Sequence, residues 1–169
     1  MEDDSYNIML YEKSQEKVQM MCEDLDINVP DSFGEYLITA ACSRLQIENV
    51  RFLISKGADP NVKNSEGNTP LLCAIDVATH NENVAVEIVK MLIDAGANLE
   101  SRGYMDKTPF LKACSRGCLE VLRVLVANGS DITATAHDID SDVSGLDLAD
   151  IFETPIEFKV YLRSLYKSA

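Results

Sequence analysis

The tract Asp138-Ile-Asp140-Ser-Asp142 alternates carboxylates as the opening of a calcium loop does. Counted from Asp138, the sixth position is Val143, where a calcium loop turns on glycine. The twelfth is Ala149, where glutamate would supply two oxygens. Both demanding positions fail, so the tract reads as a solvated acidic loop. Cys114 and Cys118 are four apart and would share one face of a continuous helix, which suggests a metal pair. A closed zinc site takes four ligands, and the only histidines, His80 and His137, are remote in sequence. His80 has the chemistry of a general base but no placed nucleophile, so a hydrolase using it is the weakest reading. Phosphate loops, nucleophile elbows and His-Glu-x-x-His motifs are absent from the sequence. These residues imply no catalytic residue, no metal and no cofactor.

What would position such residues is a repeating frame. Leu53-Ile54-x-x-Gly57-Ala58-Asp59 returns as Leu92-Ile93-x-x-Gly96-Ala97-Asn98 and as Leu125-Val126-x-x-Gly129-Ser130-Asp131. The glycines stand 39 and then 33 positions apart. A second signature, Thr69-Pro70-Leu71-Leu72, returns as Thr108-Pro109-Phe110-Leu111 and is worn at Tyr36-Leu37-Ile38-Thr39. Threonine caps a helix and proline suits its first turn, where the missing N–H is unpaired in any case. Glycine after an apolar run ends a helix in a left-handed conformation at little cost. Val84, Ala85, Ile88, Val89, Leu92 and Ile93 form an apolar stripe at helical spacing. One helix pair cannot bury such a stripe alone, so pairs must stack.

A helix–turn–helix unit of 33 residues opening on Thr-Pro-Leu resembles the ankyrin repeat. The resemblance implies an all-α solenoid of stacked helix-turn-helix units joined by short turns or hairpins. One domain spans 1–169: an N-terminal cap at 1–29, repeats at 30–63, 64–102 and 103–135, and a C-terminal cap at 136–169. The cap at 1–29 draws its apolar side from Ile8, Met9, Val18, Met20, Met21 and Leu25. The middle repeat carries about six extra residues between Ile75 and Ala85, which should extend its first helix or enlarge the turn between helices. An insertion of this kind either carries function or is merely tolerated. Asp106 stands where the preceding repeat has Gly67, so that turn must change geometry or hold a left-handed aspartate. Leu72 and Leu111 replace the histidine usual in the family, which predicts looser neighbouring turns. Thr154-Pro155-Ile156-Glu157 has the pattern of a capping box.

The net charge is −13 and unevenly placed. Residues 1–35 hold ten acidic residues against Lys13 and Lys17, and 131–153 hold seven with no lysine or arginine. Residues 36–130 balance ten of each sign. Acidic ends either keep the stack soluble or attract a basic partner. They disfavour nucleic acid. No run reaches the ~18 apolar residues of a membrane helix. The acidic start Met1-Glu-Asp-Asp and five cysteines without disulfide spacing predict an intracellular, cytoplasmic, monomeric protein that does not engage membranes.

The resemblance further implies a non-enzymatic protein-binding module, with a partner protein meeting the turn tips and the concave face. By position the candidates are Phe33 and Glu35 in the first repeat. The second offers Ser65, Glu66, Asn68, Cys73, Asp76 and Val77. The third offers Tyr104, Met105, Lys107, Lys112, Ser115 and Arg116. Lys107, Lys112 and Arg116 are expected to form an exposed basic patch around Tyr104, with Arg102 nearby, suited to an acidic or phosphorylated segment. The alternative is an acidic inhibitor or immunity-type protein that blocks a basic enzyme through its charged ends.

Overall fold

A computed structural model of the chain describes Tyr6, Leu10 and residues 15–22, 25–138 and 141–168. The first helix described is α1 (Gln15–Met21). Helix pairs follow it: α2 (Leu37–Ser43) with α3 (Ile47–Ser55), α4 (Pro70–Asp76) with α5 (Glu82–Asp94), and α6 (Pro109–Arg116) with α7 (Leu119–Ala127). A two-stranded antiparallel hairpin, β1 (Thr135–Asp138) and β2 (Ser141–Ser144), leads into α8 (Gly145–Ile151) and α9 (Ile156–Ser168). Inner helices α2, α4, α6 and α8 stack in order, and outer helices α1, α3, α5 and α7 stack behind them. One hydrophobic core runs through the stack from Leu10 to Leu162.

The opening signatures act as their chemistry requires. Thr69 and Thr108 accept the N–H of Leu72 and Leu111 at 3.4 and 3.3 Å, each followed by proline in the first turn. Ser144 and Asp147 cap α8 reciprocally: Ser144 Oγ accepts the Asp147 N–H at 3.3 Å, and Asp147 Oδ2 accepts the Ser144 N–H at 2.8 Å. In the worn opening, Thr39 takes over, accepting the Tyr36 N–H at 3.0 Å and donating to its carbonyl at 2.8 Å. The closings are equally regular. The residue after each closing glycine donates back to the last turn: Ala58 to Leu53 O, Ala97 to Leu92 O and Ser130 to Leu125 O, at 2.9–3.1 Å. That bond needs a left-handed residue just before it, and φ is 87°, 91° and 86° at Gly57, Gly96 and Gly129. Thr154 departs from the capping pattern, since its hydroxyl donates to Ala149 O at 3.1 Å.

A ladder of side chains joins successive loops on the outer side. Asn28 donates to Gly57 O and accepts from Asp59 N; Asn61 does the same for Gly96 O and Asn98 N. Glu100, one repeat further on, accepts from Asp131 N at 2.9 Å. These bonds fix the spacing between repeats without apolar burial.

The insertion does not lengthen α4, which is as short as its neighbours. It enlarges the turn into a 3-10 segment, Ala78–His80, and adds a turn to the start of α5. Asn81 caps α5 by accepting from Val84 N at 3.3 Å, and Ala78 is fully buried. Glu82 then reaches the next repeat and accepts the Glu120 N–H at the start of α7. The extra residues therefore tie two repeats together, and His80 is left exposed on the turn.

In the N-terminal unit, Leu10, Val18, Cys22 and Ile27 are buried, whereas Met20 and Leu25 are exposed. Val18 and Cys22 lie one turn apart and share the inward face, which turns Met20 outward. Ile8 and Met9 lie outside the described residues.

Candidate functional site

Three tight turns project beside the inner helices. Each is closed by the same two backbone bonds: Asp31 N–H to Glu35 O with Gly34 N–H to Asp31 O, then the equivalents at Asn64 to Asn68 and at Gly103 to Lys107, all at 2.8–3.1 Å. In the first two turns an aspartate or asparagine side chain also satisfies the tip amides: Asp31 Oδ1 accepts from Phe33 and Glu35, and Asn64 Oδ1 from Glu66 and Asn68. The third turn has Gly103 at that place. A Cβ there would lie 2.5 Å from both Asn68 Oδ1 and Leu72 Cδ1, so only glycine lets the turns approach so closely. Its tip is strained, with Met105 and Asp106 both left-handed at φ 59° and 55°. Arg102 holds it, donating from Nη1 to the Asp106 carbonyl and carboxylate at 2.8 and 2.7 Å and to Thr135 O at 2.8 Å. Asp106 thus takes the left-handed option.

The turns are bonded to one another despite the leucines at Leu72 and Leu111. Ser65 N–H donates to Gly34 O, Tyr104 N–H to Asn68 Oδ1, and Lys63 Nζ to Arg102 O, at 2.9–3.0 Å. At these contacts backbone, asparagine and lysine groups supply the inter-turn bonds where leucine stands in place of the family's usual histidine.

Large apolar side chains stand on this braced row: Phe33, Tyr104 and Met105 are 63 %, 59 % and 53 % exposed. Ser65 and Glu66 between them are exposed too. Glu35 is half-buried. Its Oε2 accepts from Asn64 Nδ2 at 3.2 Å, while Oε1 is out of solvent without a hydrogen-bond partner. Burial pushes its carboxyl above the ordinary value, and Asp31 and Glu66 add to the rise, against the opposing influence of the nearby Thr39 hydroxyl and the Asn64 amide.

The basic patch expected around Tyr104 does not exist as a free surface. Lys112 and Lys107 are each only 6 % exposed. Lys112 points along the stack to α4, where Asp76 Oδ1 accepts its Nζ at 2.9 Å and Arg116 Nη2 at 2.6 Å. Burial raises the Asp76 carboxyl, but the hydrogen bonds and charges of Lys112 and Arg116 outweigh it and hold Asp76 below the usual carboxylate range. Lys107 lies over the Phe152 ring, 4.9 Å from its centre. Asn68, Cys73 and Ser115 are buried as well, Asn68 facing the next turn, where it accepts the Tyr104 N–H. Val77 is half-buried. Phe152 itself, and exposed Ile151 beside it, escaped the sequence reading. Aligning Ser144 with Thr108 places Phe152 in register with Arg116, the signal that would have found it.

Cys114 and Cys118 do not share a helix face, because Gly117, left-handed at φ 69°, ends α6 between them. Among the described residues no three His, Cys, Asp or Glu gather as a metal-type group, and no helix is long and apolar enough to cross a membrane. Of the Asp138–Asp142 tract, Ile139 and Asp140 lie outside the described residues, and Asp142 Oδ1 lies 3.2 Å from His137 Nδ1 across the hairpin. All five cysteines are buried and free. Burial pushes the thiol of Cys73 up to about 12 and that of Cys118 up to about 11, and it raises Cys42 and Cys114 too. Thiol-reagent titration at mild alkaline pH should therefore find these four at least about a hundredfold slower in the native protein than in denaturant. Fast labelling of Cys42, Cys73 or Cys114 would refute the close packing of the inner helices.

Stacked helix pairs with projecting turns define a helical repeat solenoid, whose working part is a preformed surface. Residues 7–102 match three copies of the ankyrin repeat and residues 105–137 a further one, and the chain belongs to the ankyrin-repeat family. Ankyrin repeats serve protein–protein interaction in general. Among relatives, an ankyrin repeat protein of Rickettsia bellii is 32% identical over 129 residues, covering 76% of this chain and 38% of its own length. The NF-kappa-B inhibitor cactus of Drosophila melanogaster is 30% identical over 146 residues, 85% of this chain and 27% of its own. The human transient receptor potential cation channel subfamily A member 1 is 34% identical over 100 residues, 59% of this chain and 8% of its own. The chain thus spans well under half the length of each of these relatives.

Proposed function

We propose that the chain is a non-catalytic module that binds a partner protein along its turn tips and inner helices, acting as a monomeric single domain over 1–169. The observation that carries this reading is the exposure of Phe33, Tyr104 and Met105 on a row of turns held rigid by inter-turn bonds. Three such side chains exposed on one rigid edge are a poor choice for a merely soluble surface, and aromatic and methionine side chains are favoured at interface centres. The acidic C-terminal end supports the inhibitor alternative less well. Asp131 and Asp147 accept hydrogen bonds within their own turns, and Asp150 is paired with Lys159 and Arg163.

The test is a capture experiment with wild type beside the triple variant Phe33→Ala/Tyr104→Ala/Met105→Ala. The variant should keep its circular dichroism and melting temperature, since all three side chains are exposed, and bind the captured partner at least about tenfold more weakly. Lys107 is left untouched because it is buried. A partner held equally by the triple variant, and released by Ile156→Asp/Val160→Asp on exposed positions of α9, would move the interface to the outer helices.

A further inference from the structure

We propose that the first two turns recognise a basic segment of the partner, with a lysine or arginine beside Glu35 and Glu66 and a neighbouring apolar side chain on Phe33. This rests on the interaction surface proposed above and adds the chemistry of its occupant. The charge pattern is the first argument. Residues 31–43 and 64–76 contain four carboxylates, Asp31, Glu35, Glu66 and Asp76, and no lysine or arginine. Asp76 is answered from the next repeat by Lys112 and Arg116. The cations of the third turn face inward or along it: Arg102 holds Asp106, and Lys107 covers Phe152. Lys63, next to the second turn, donates to Arg102 O of the following repeat, so Asp31, Glu35 and Glu66 are left as the negative field around exposed Phe33.

The state of Glu35 is the second argument. It keeps one oxygen sealed from solvent with no partner, and the charged groups acting on it, Asp31 and Glu66, carry its own sign. A half-buried carboxylate in that setting is under-compensated, and it costs the free protein stability. An arriving cation offsets the cost, so binding gains what folding loses. An acidic or phosphorylated segment, the occupant expected from the sequence, meets like charge here. The apolar member follows from Phe33, whose ring lies at the tip between these carboxylates in sequence.

The experiment titrates the full chain against two fluorescein-labelled peptides, Gly-Lys-Leu-Lys-Leu-Lys-Gly and its twin with glutamate for lysine, by anisotropy at low and high salt, and maps each by amide chemical shifts. The basic peptide should bind, weaken with salt, and shift amides of residues 31–39 and 64–68. Glu35→Gln/Glu66→Gln should weaken it about tenfold, while Glu87→Gln/Glu157→Gln, which removes the same charge from exposed outer positions, leaves it within about twofold. Glu35→Gln alone should melt higher than wild type at neutral pH while binding the basic peptide less well, a pairing that a structural role does not produce. The inference is overturned if neither peptide binds, if both double variants weaken binding equally, or if the acidic twin binds better. In that last case, loss of the twin's binding in the alanine triple variant would keep the surface reading and discard only the charge assignment. Shifts confined to α7 and α9 would discard both.

Discussion

Replacing Phe110 by alanine should cost about 4 kcal/mol and lower the melting temperature by about 8–16 °C, the largest single-residue effect expected in the stack. Phe110 is fully buried in the first turn of α6. It fills the space to α8 so closely that a Cβ on Gly145 would lie 2.8 Å from its Cε1. Removing the ring leaves a cavity between two inner helices that the backbone cannot collapse without dragging both turns. In a solenoid each unit is stabilised by its neighbours, so the loss falls on one interface. Hydrogen exchange in the variant should rise first over residues 145–165 and last over 37–55. Phe110→Leu is the control, because Leu71 occupies the same repeat position, and it should cost only about 1 kcal/mol. A uniform rise in exchange along the whole chain would show that the stack melts as one unit.

Much of this architecture was legible because its signals are local. Thr-Pro and the closing glycines act through bonds that span three to five residues, so their spacing in sequence is their spacing in space. The exposed tips Phe33, Tyr104 and Met105 could be placed from repeat position alone. What sequence could not show was direction across repeats. Lys112 and Arg116 read as a patch because they are one turn apart on α6. Their shared acceptor, Asp76, lies on another helix, and nothing local to either helix links the three residues. Lys107 is hidden by Phe152 for the same reason, since its cover comes from the cap. The insertion was visible as a break in period. That Glu82 would reach α7 depends on the outer stacking, which no local spacing encodes.

The inner surface is therefore divided by its own ion pairs. Toward the first two turns the Glu35 carboxylate is under-compensated; toward the third the cations are already engaged. A partner that lay along the whole row would meet negative charge and an aromatic ring first, then Tyr104 and Met105 on the strained third turn. Under the proposed reading such an arrangement would set orientation as well as affinity, because a reversed segment would bring its cation to the wrong end.

The link between those halves is Asp76, and its removal is the second large effect. Asp76→Ala strands the Lys112 ammonium, buried in α6, without the carboxylate that pairs with it. Breaking a buried pair from one side costs about 3–5 kcal/mol, but Asp76 and Arg116 are 37 % and 41 % exposed, so solvent screening reduces the expected loss to about 2 kcal/mol. Most of that cost belongs to the stranded lysine. Asp76→Ala/Lys112→Met should therefore recover about half of it, whereas additive destabilisation would mean that packing, not charge, was lost. The pH dependence has a definite sign. The folded pKa of Asp76 is depressed, so its contribution is present above the unfolded value near 3.8 and is lost as pH falls through the folded one. Wild type and Asp76→Ala should differ in melting temperature at neutral pH and converge in strong acid. A gap that persists there would assign the effect of Asp76 to something other than its ionised carboxylate.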